Sequence, residues 1–146
     1  MSLKENESYF SQARVLPVLT PESVAGAVAV SRVLFEAGLR MQEITLRTEW
    51  ALETITALAA KGDCPDLILL DLNMPRVNGF EVLRFLAAEH CCQATTVVVM
   101  TTSNAPRDQE RSLELGAKAC ITKPPGFDDL LKVLSSFEPY LQPQLG

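Results

Sequence analysis

The chain has 146 residues, 47% of them hydrophobic, and this length supports one well-packed core rather than two comfortable domains. A formal net charge of −5 and a sequence pI near 4.9 argue against nucleic acid or an anionic membrane surface as the main partner, because both attract positive charge. No apolar stretch reaches the roughly 20 residues of a membrane span, and no signal-peptide pattern opens the chain, so we predict a cytoplasmic protein.

Strand and helix patterns alternate along the chain. Ser2 and Glu5 form a capping-box pattern for a short leading helix. Thr20 followed by Pro21 predicts the N-cap and first residue of the next helix, and Thr48 predicts the N-cap of the one after it. We predict strands at 14–19, 41–46, 66–71, 96–101 and 119–122, and helices at about 20–38, 48–62, 80–89, 107–116 and 128–137.

Five strands that are each followed by a helix predict a parallel sheet with right-handed crossovers and helices on both faces. We therefore expect one α/β domain over residues 1–146: a doubly wound three-layer sandwich with a five-stranded, flavodoxin-like sheet in the order 2-1-3-4-5. The first strand is central in that order, so Pro17, which lacks an N–H, predicts a local irregularity. Function in such folds gathers at the carboxyl ends of the strands, where the sequence has Thr20, Glu43, Arg47, Asp71, Thr101 and Lys123.

The four cysteines show no CxxC spacing, and the chain has a single histidine. This pattern favours neither a zinc site nor a disulfide framework, so we expect reduced thiols and no required cofactor.

The apolar run Leu67–Leu70 ends on the carboxylate of Asp71, which is typical of a buried strand that emerges at the edge of a sheet. Asp71 in "LLDLNMPRVNGFEVL", Thr101 in "VVVMTTS" and Lys123 in "LGAKACITKP" resemble the receiver domain of bacterial two-component response regulators, over about residues 63–137. The resemblance implies that Asp71 accepts a phosphoryl group from a phosphohistidine of a sensor histidine kinase. It also implies that Thr101 is the switch hydroxyl, that Lys123 is the cation, and that a cis bond precedes Pro124.

The first strand departs from the receiver pattern. Receivers end this strand in two acidic residues that help the acceptor aspartate to hold Mg²⁺, whereas "LPVLTPES" has no acid before Glu22. Only Asp71 and the carbonyl of Asn73 remain as metal ligands, and a near-octahedral ion needs more oxygen donors. We therefore expect Mg²⁺ binding to be weak, if it occurs, and phosphotransfer to be slowed.

Residues 11–55 resemble a different family, the class I 2-keto-3-deoxy-6-phosphogluconate aldolases, through "RVLPV" and "EITLRT" in an opening β-α-β-α pattern. The resemblance implies that Glu43 is a general acid/base and that Arg47 positions the substrate. The lysine that forms the Schiff base in that family lies on a later barrel strand, which this chain lacks. Without a suitably placed lysine an amine stays protonated, so we expect no aldol chemistry.

These two resemblances lead to three hypotheses. The leading one is a designed chimeric scaffold, with a TIM-barrel aldolase fragment at 1–57 and a receiver fragment at 58–146, no catalytic residues and a vestigial acceptor site. The second is a divergent receiver in which Asp71 still accepts a phosphoryl group in a phosphorelay, and the third is a minimal aldolase. In the leading hypothesis Glu43 and Arg47 are an ion pair or solvated charges, no partner is expected, and the protein is a monomer or an edge-strand dimer.

Overall fold

Strands and helices alternate in the computed structural model, which describes residues 17–39, 41–89, 93–137 and 139. The predicted leading helix and residues 14–16 of the first predicted strand lie outside the described residues. The described elements are β1 (Val18–Leu19), α1 (Val24–Glu36), β2 (Glu43–Ile44), α2 (Trp50–Ala60), β3 (Leu67–Asp71), α3 (Gly79–Ala88), β4 (Thr96–Thr101), α4 (Pro106–Glu114), β5 (Ala119–Thr122) and α5 (Phe127–Ser135).

The strands form two parallel sheets. Strand β1 pairs with β2 through the register Val18 to Glu43, and β3, β4 and β5 form a second sheet in that order. The parallel pairing and the alternating helices agree with the predicted architecture, whereas the single five-stranded sheet in the order 2-1-3-4-5 is not confirmed. The two-residue β1 directly follows Pro17, which has no N–H to donate and whose carbonyl accepts a 2.9 Å hydrogen bond from the Glu43 N–H of β2.

The central strand of the larger sheet, β4, is the most deeply buried element. Val98, Val99 and Thr101 are fully inaccessible to solvent. A strand covered on both faces favours a continuous apolar run, and "TVVVMT" is such a run. The register sets Asp71 opposite Met100 and Thr101 opposite Thr122, so the carboxyl ends of all three strands meet at one edge.

One hydrophobic cluster joins the two halves of the chain. Its buried members include Leu70 of β3, Val99 of β4 and Leu83 of α3. Leu52 and Ile55 of α2 pack against this same cluster. Residues on both sides of position 57 therefore share one core.

The helices of the first half begin differently from the prediction. Helix α1 has Ser23 as its N-cap, and the Ser23 hydroxyl accepts a hydrogen bond from a first-turn N–H at 3.2 Å. Thr20, the predicted N-cap, instead accepts a 2.9 Å hydrogen bond from the hydroxyl of Thr45. Thr48 is likewise not the N-cap of α2, because its hydroxyl donates to the carbonyl of Pro21 at 2.5 Å. In both places a contact between distant segments takes the hydroxyl away from its local capping role.

Helix α3 starts very close to the end of β3. Its N-terminus is closed by a capping box in which Asn78 and Glu81 each accept a hydrogen bond from the other's backbone N–H. The N–H of Gly79 donates to the carbonyl of Leu72 at 3.1 Å. A Cβ on Gly79 would lie 2.5 Å from the Asp71 carbonyl oxygen and 2.7 Å from Leu72 Cα, so this approach requires glycine.

We predict that Gly79→Ala lowers the free energy of unfolding by about 1–3 kcal/mol. The added methyl group would overlap backbone atoms, which cannot move away as the end of a side chain can. The matched control is Gly126→Ala, where the nearest atom, Asp129 Oδ2, lies at an ordinary 3.5 Å. The control should change the free energy of unfolding by less than about 1 kcal/mol. Urea denaturation followed by circular dichroism measures both, and equal stabilities of the two variants would contradict the prediction.

Candidate functional site

Asp71 is the last residue of β3, and both oxygens of its carboxylate have partners. Oδ1 accepts a hydrogen bond from the backbone N–H of Asn73 at 2.9 Å. Oδ2 faces the Nζ atom of Lys123 at 2.5 Å. The side chain remains 36% exposed, so the carboxylate is held in position and is still open to a reagent from solvent.

Lys123 directly follows β5, on the far side of β4 from Asp71. Its backbone N–H donates to the carbonyl of Thr101 at 2.7 Å. This bond continues the parallel pairing of β5 with β4 and fixes the position from which the Lys123 side chain extends. The ammonium then reaches across the end of β4 to the carboxylate. An ion pair this exposed adds at most about 1 kcal/mol to stability, so its arrangement matters more for the chemistry of the site than for the fold.

Thr101 ends β4 and is fully buried. Its hydroxyl oxygen accepts a hydrogen bond from the Ser103 N–H at 3.0 Å and a longer one from Asn73 Nδ2 at 3.5 Å. Asn73 Nδ2 also donates to the Thr102 hydroxyl at 3.2 Å. The structure thus places Asp71, Thr101 and Lys123 at one edge of the sheet, and the side-chain amide of Asn73 connects the segment after β3 to the end of β4 and the loop that follows it.

The loop after β4 is tied to α4 by residues that the sequence analysis did not identify. The Ser103 hydroxyl donates to Asp108 Oδ2 at 2.7 Å and accepts from the Ala105 N–H at 3.2 Å. The Ser112 hydroxyl donates to the Asp108 carbonyl at 2.7 Å, one turn further along α4. The signal was present, because serine and aspartate just before or inside the first turn of a helix commonly bond its N-terminus.

Cys120 lies in β5, and its side chain contacts α4 through a hydrogen bond with Ser112. Burial raises the pKa of its thiol above the ordinary value, a hydrogen bond with Ser112 lowers it, and the negative charge of Asp108 raises it further. A thiol with a raised pKa stays protonated at neutral pH and is a poor nucleophile. Cys120 therefore acts as a small packing residue here.

The structure does not bring Glu43 and Arg47 to the site. Both are exposed, on and just after β2, in the sheet that does not contain Asp71. Among the described residues no ion pair involves either side chain, so of the two expected arrangements, an ion pair or solvated charges, the structure shows exposed charges. The implied cis bond before Pro124 was also wrong, because the described chain has only trans peptides.

The described residues fit a resident divalent cation poorly. Mg²⁺ takes a near-octahedral set of oxygens anchored on one or two carboxylates. Asp71 and the Asn73 carbonyl are the predicted ligands, and both oxygens of Asp71 already have partners. In the described ranges no group of three or more histidine, cysteine, aspartate or glutamate side chains could hold a metal ion. Weak metal binding at Asp71 and Asn73 stays a prediction.

None of the described helices combines the length and the apolar character that crossing a membrane requires.

Comparison with known proteins gives consistent results along most of the chain. The family model of the response regulator receiver domain matches residues 28–135. Response regulator Rcp1 from Synechocystis is 32% identical over 128 residues, which cover 84% of this chain and 86% of Rcp1. Response regulator PleD from Caulobacter vibrioides is 38% identical over 102 residues, but these are 66% of this chain and only 22% of PleD. The chain thus spans about a fifth of PleD.

Solved structures agree with these relatives. A receiver domain from Rhodospirillum rubrum superimposes with a TM-score of 0.57 at 24% identity, covering 88% of this chain and 96% of that one. The Mn²⁺-bound form of Rcp1 superimposes with a TM-score of 0.54 at 31% identity, covering 84% of this chain and 91% of Rcp1. The phosphorylated cyanobacterial phytochrome response regulator RcpA superimposes with a TM-score of 0.57 at 26% identity, covering 88% of this chain and 94% of RcpA.

These matches overturn the leading hypothesis. A designed chimera with an aldolase fragment at residues 1–57 is wrong, because the receiver match starts at residue 28 and continues through the proposed junction. Aldolase barrels and doubly wound sheets both open with a β-α-β-α pattern of apolar strands and capped helices, so short motifs such as "RVLPV" and "EITLRT" do not distinguish them. The minimal-aldolase hypothesis has no support either. The chain belongs to the response regulator receiver domain family.

Proposed function

We propose that the chain is a phosphoryl-accepting receiver in a phosphorelay and that Asp71 takes the phosphoryl group from a phosphohistidine of a sensor histidine kinase. The observation that carries this proposal is the 2.5 Å pair between Asp71 Oδ2 and Lys123 Nζ, with the buried hydroxyl of Thr101 at the end of the strand between them. A nucleophile, a cation and a hydroxyl at one sheet edge are the groups that phosphoryl transfer to a carboxylate needs.

In the proposed step one carboxylate oxygen of Asp71 attacks phosphorus in line with the donor nitrogen. An O–P bond forms as the P–N bond breaks, and the donor imidazole keeps the bonding electron pair and is protonated. The product is an acyl phosphate on Asp71. The N–H of Asn73 supports the proposal, since its 2.9 Å hydrogen bond to Oδ1 orients the carboxylate before attack.

Lys123 and Thr101 would receive the charge of the phosphoryl group. The ammonium of Lys123 already faces the carboxylate and would neutralise the phosphoryl oxygens beside it. The Thr101 oxygen accepts from Ser103 and Asn73, so both of its acceptor positions are used. Its own O–H has no acceptor among the described residues and would donate to a phosphoryl oxygen.

A chain that acts in this way accepts one phosphoryl group and holds it, so it is a stoichiometric carrier and not an enzyme with turnover. Glu43 and Arg47 have no part in the step. PleD is much longer than the segment matched here, and the activity of the rest of such proteins is not assigned to this chain.

We predict that incubation with phosphoramidate adds one phosphoryl group to the intact chain and that Asp71→Asn abolishes this gain, because an amide cannot form the acyl phosphate. The matched control is Asp66→Asn, the same change just before the opposite end of β3, and it should be labelled like the unmodified chain. Intact-mass spectrometry measures the gain. Labelling that survives in Asp71→Asn, or that is absent from the folded unmodified chain, would contradict the proposal.

We predict that Lys123→Gln slows this labelling by about 10²–10³-fold, the usual cost of removing a preorganised charge partner from a developing anion. Lys118→Gln is the control, since Lys118 lies at the amino end of β5, away from Asp71, and should leave the rate unchanged. Initial rates by intact mass test the pair, and equal rates in the two variants would show that the Lys123 charge has no role.

We predict that Thr101→Val slows labelling by about tenfold or more, since a hydrogen bond to a charged group contributes about 1.5–3 kcal/mol. Thr96→Val makes the same change at the amino end of β4 and should label normally. The valine also leaves the Ser103 N–H without its acceptor. The rates are therefore compared only after urea denaturation has shown that both variants are folded. A rate for Thr101→Val equal to that of the control would rule out a direct role for the hydroxyl.

A further inference from the structure

The charges at the acceptor site already balance. Asp71 supplies one negative charge and Lys123 one positive charge. The described neighbours that bond around them, Asn73, Thr101 and Thr102, are neutral. A divalent cation added to this set would leave the site with an excess of positive charge before any phosphoryl donor arrives.

The carboxylate has no oxygen that is free of a partner. Oδ1 bonds the N–H of Asn73, and Oδ2 bonds the ammonium of Lys123. A metal ion would have to share Oδ1 with the Asn73 N–H or share Oδ2 with the ammonium, and at either oxygen it would lie close to the ammonium, where two cations repel strongly outside bulk water. The same contact that orients the nucleophile therefore competes with a metal.

The segment after β1 has one carboxylate, the exposed Glu22, and no described hydrogen bond or ion pair connects it to Asp71. The sequence has no aspartate or glutamate between Glu7 and Glu22. The hydroxyls at the ends of β1 and β2 bond to each other, with Thr45 Oγ1 at 2.9 Å from Thr20 Oγ1. These groups are neutral and satisfied within the protein, so they offer little to an ion that favours carboxylates.

We propose that Lys123 is the counter-charge of Asp71 in place of a divalent cation, so that Asp71 accepts its phosphoryl group without bound metal. This inference rests on the proposed function and deepens it. With phosphoramidate as donor, a carboxylate oxygen of Asp71 forms the new O–P bond, the P–N bond breaks, and nitrogen keeps the electron pair and leaves as ammonia after taking a proton from water. The site changes from neutral to a net charge of about −1, which the single ammonium of Lys123 moderates.

The first test measures the labelling rate of the full chain with phosphoramidate, in excess EDTA and in excess Mg²⁺. We expect the two rates to agree within about twofold. Labelling that needs Mg²⁺, with a rate at least about tenfold lower in EDTA, overturns the metal-free inference and leaves the proposed function standing. Absence of labelling in both conditions from a folded chain overturns the proposed function, and the inference falls with it.

The second test does not depend on labelling. Mn²⁺ alone is titrated into the unmodified chain and into Asp71→Asn, and free Mn²⁺ is followed by electron paramagnetic resonance. We expect the two titrations to coincide, because Asp71 does not anchor an ion. A saturable site in the unmodified chain that Asp71→Asn removes would overturn the inference, whatever the labelling rates are.

Discussion

The site depends on the parallel pairing of β3 and β5 with the two sides of β4. Since all three strands run in one direction, their last residues arrive at the same edge, and the ammonium of Lys123 can span the end of β4 to reach Asp71. The burial of β4 fixes its register, because a strand that packs on both faces has one register in which its apolar side chains all find partners. The positions of Asp71, Thr101 and Lys123 at the sheet edge thus depend on how β4 packs in the core.

The second half of the chain was predictable because its signals are local. Strands β4 and β5 have the bounds expected from their apolar runs, and β3 differs by one residue. Asp71, Thr101 and Lys123 end or follow these strands, so the parallel topology alone places them together. The bonds of Ser103 to Asp108 and of the Asn73 side chain to the hydroxyls were not predictable in the same way, since they depend on loop conformation.

The first half of the chain was harder to predict because its strands are short and its polar side chains bond to residues far away in the sequence. Strands β1 and β2 have two residues each within the described chain, too few for hydrophobic periodicity to decide their neighbours. Thr20 has the residue type of an N-cap, yet its hydroxyl bonds Thr45, 25 positions away. The short strands also allowed the aldolase interpretation, since patterns of single β-α units are common to many folds. A match across most of the chain, here residues 28–135, is needed to separate them.

The close approach at Gly79 joins the start of α3 to the end of β3. There is no room for even a methyl group between the start of α3 and the backbone of Asp71 and Leu72. Asp71 and the capped start of α3 therefore form one structural unit of roughly residues 71–81. Grafting the aspartate onto another sheet would require this whole segment, because the aspartate alone would lose the helix start whose Gly79 N–H bonds the neighbouring Leu72 carbonyl.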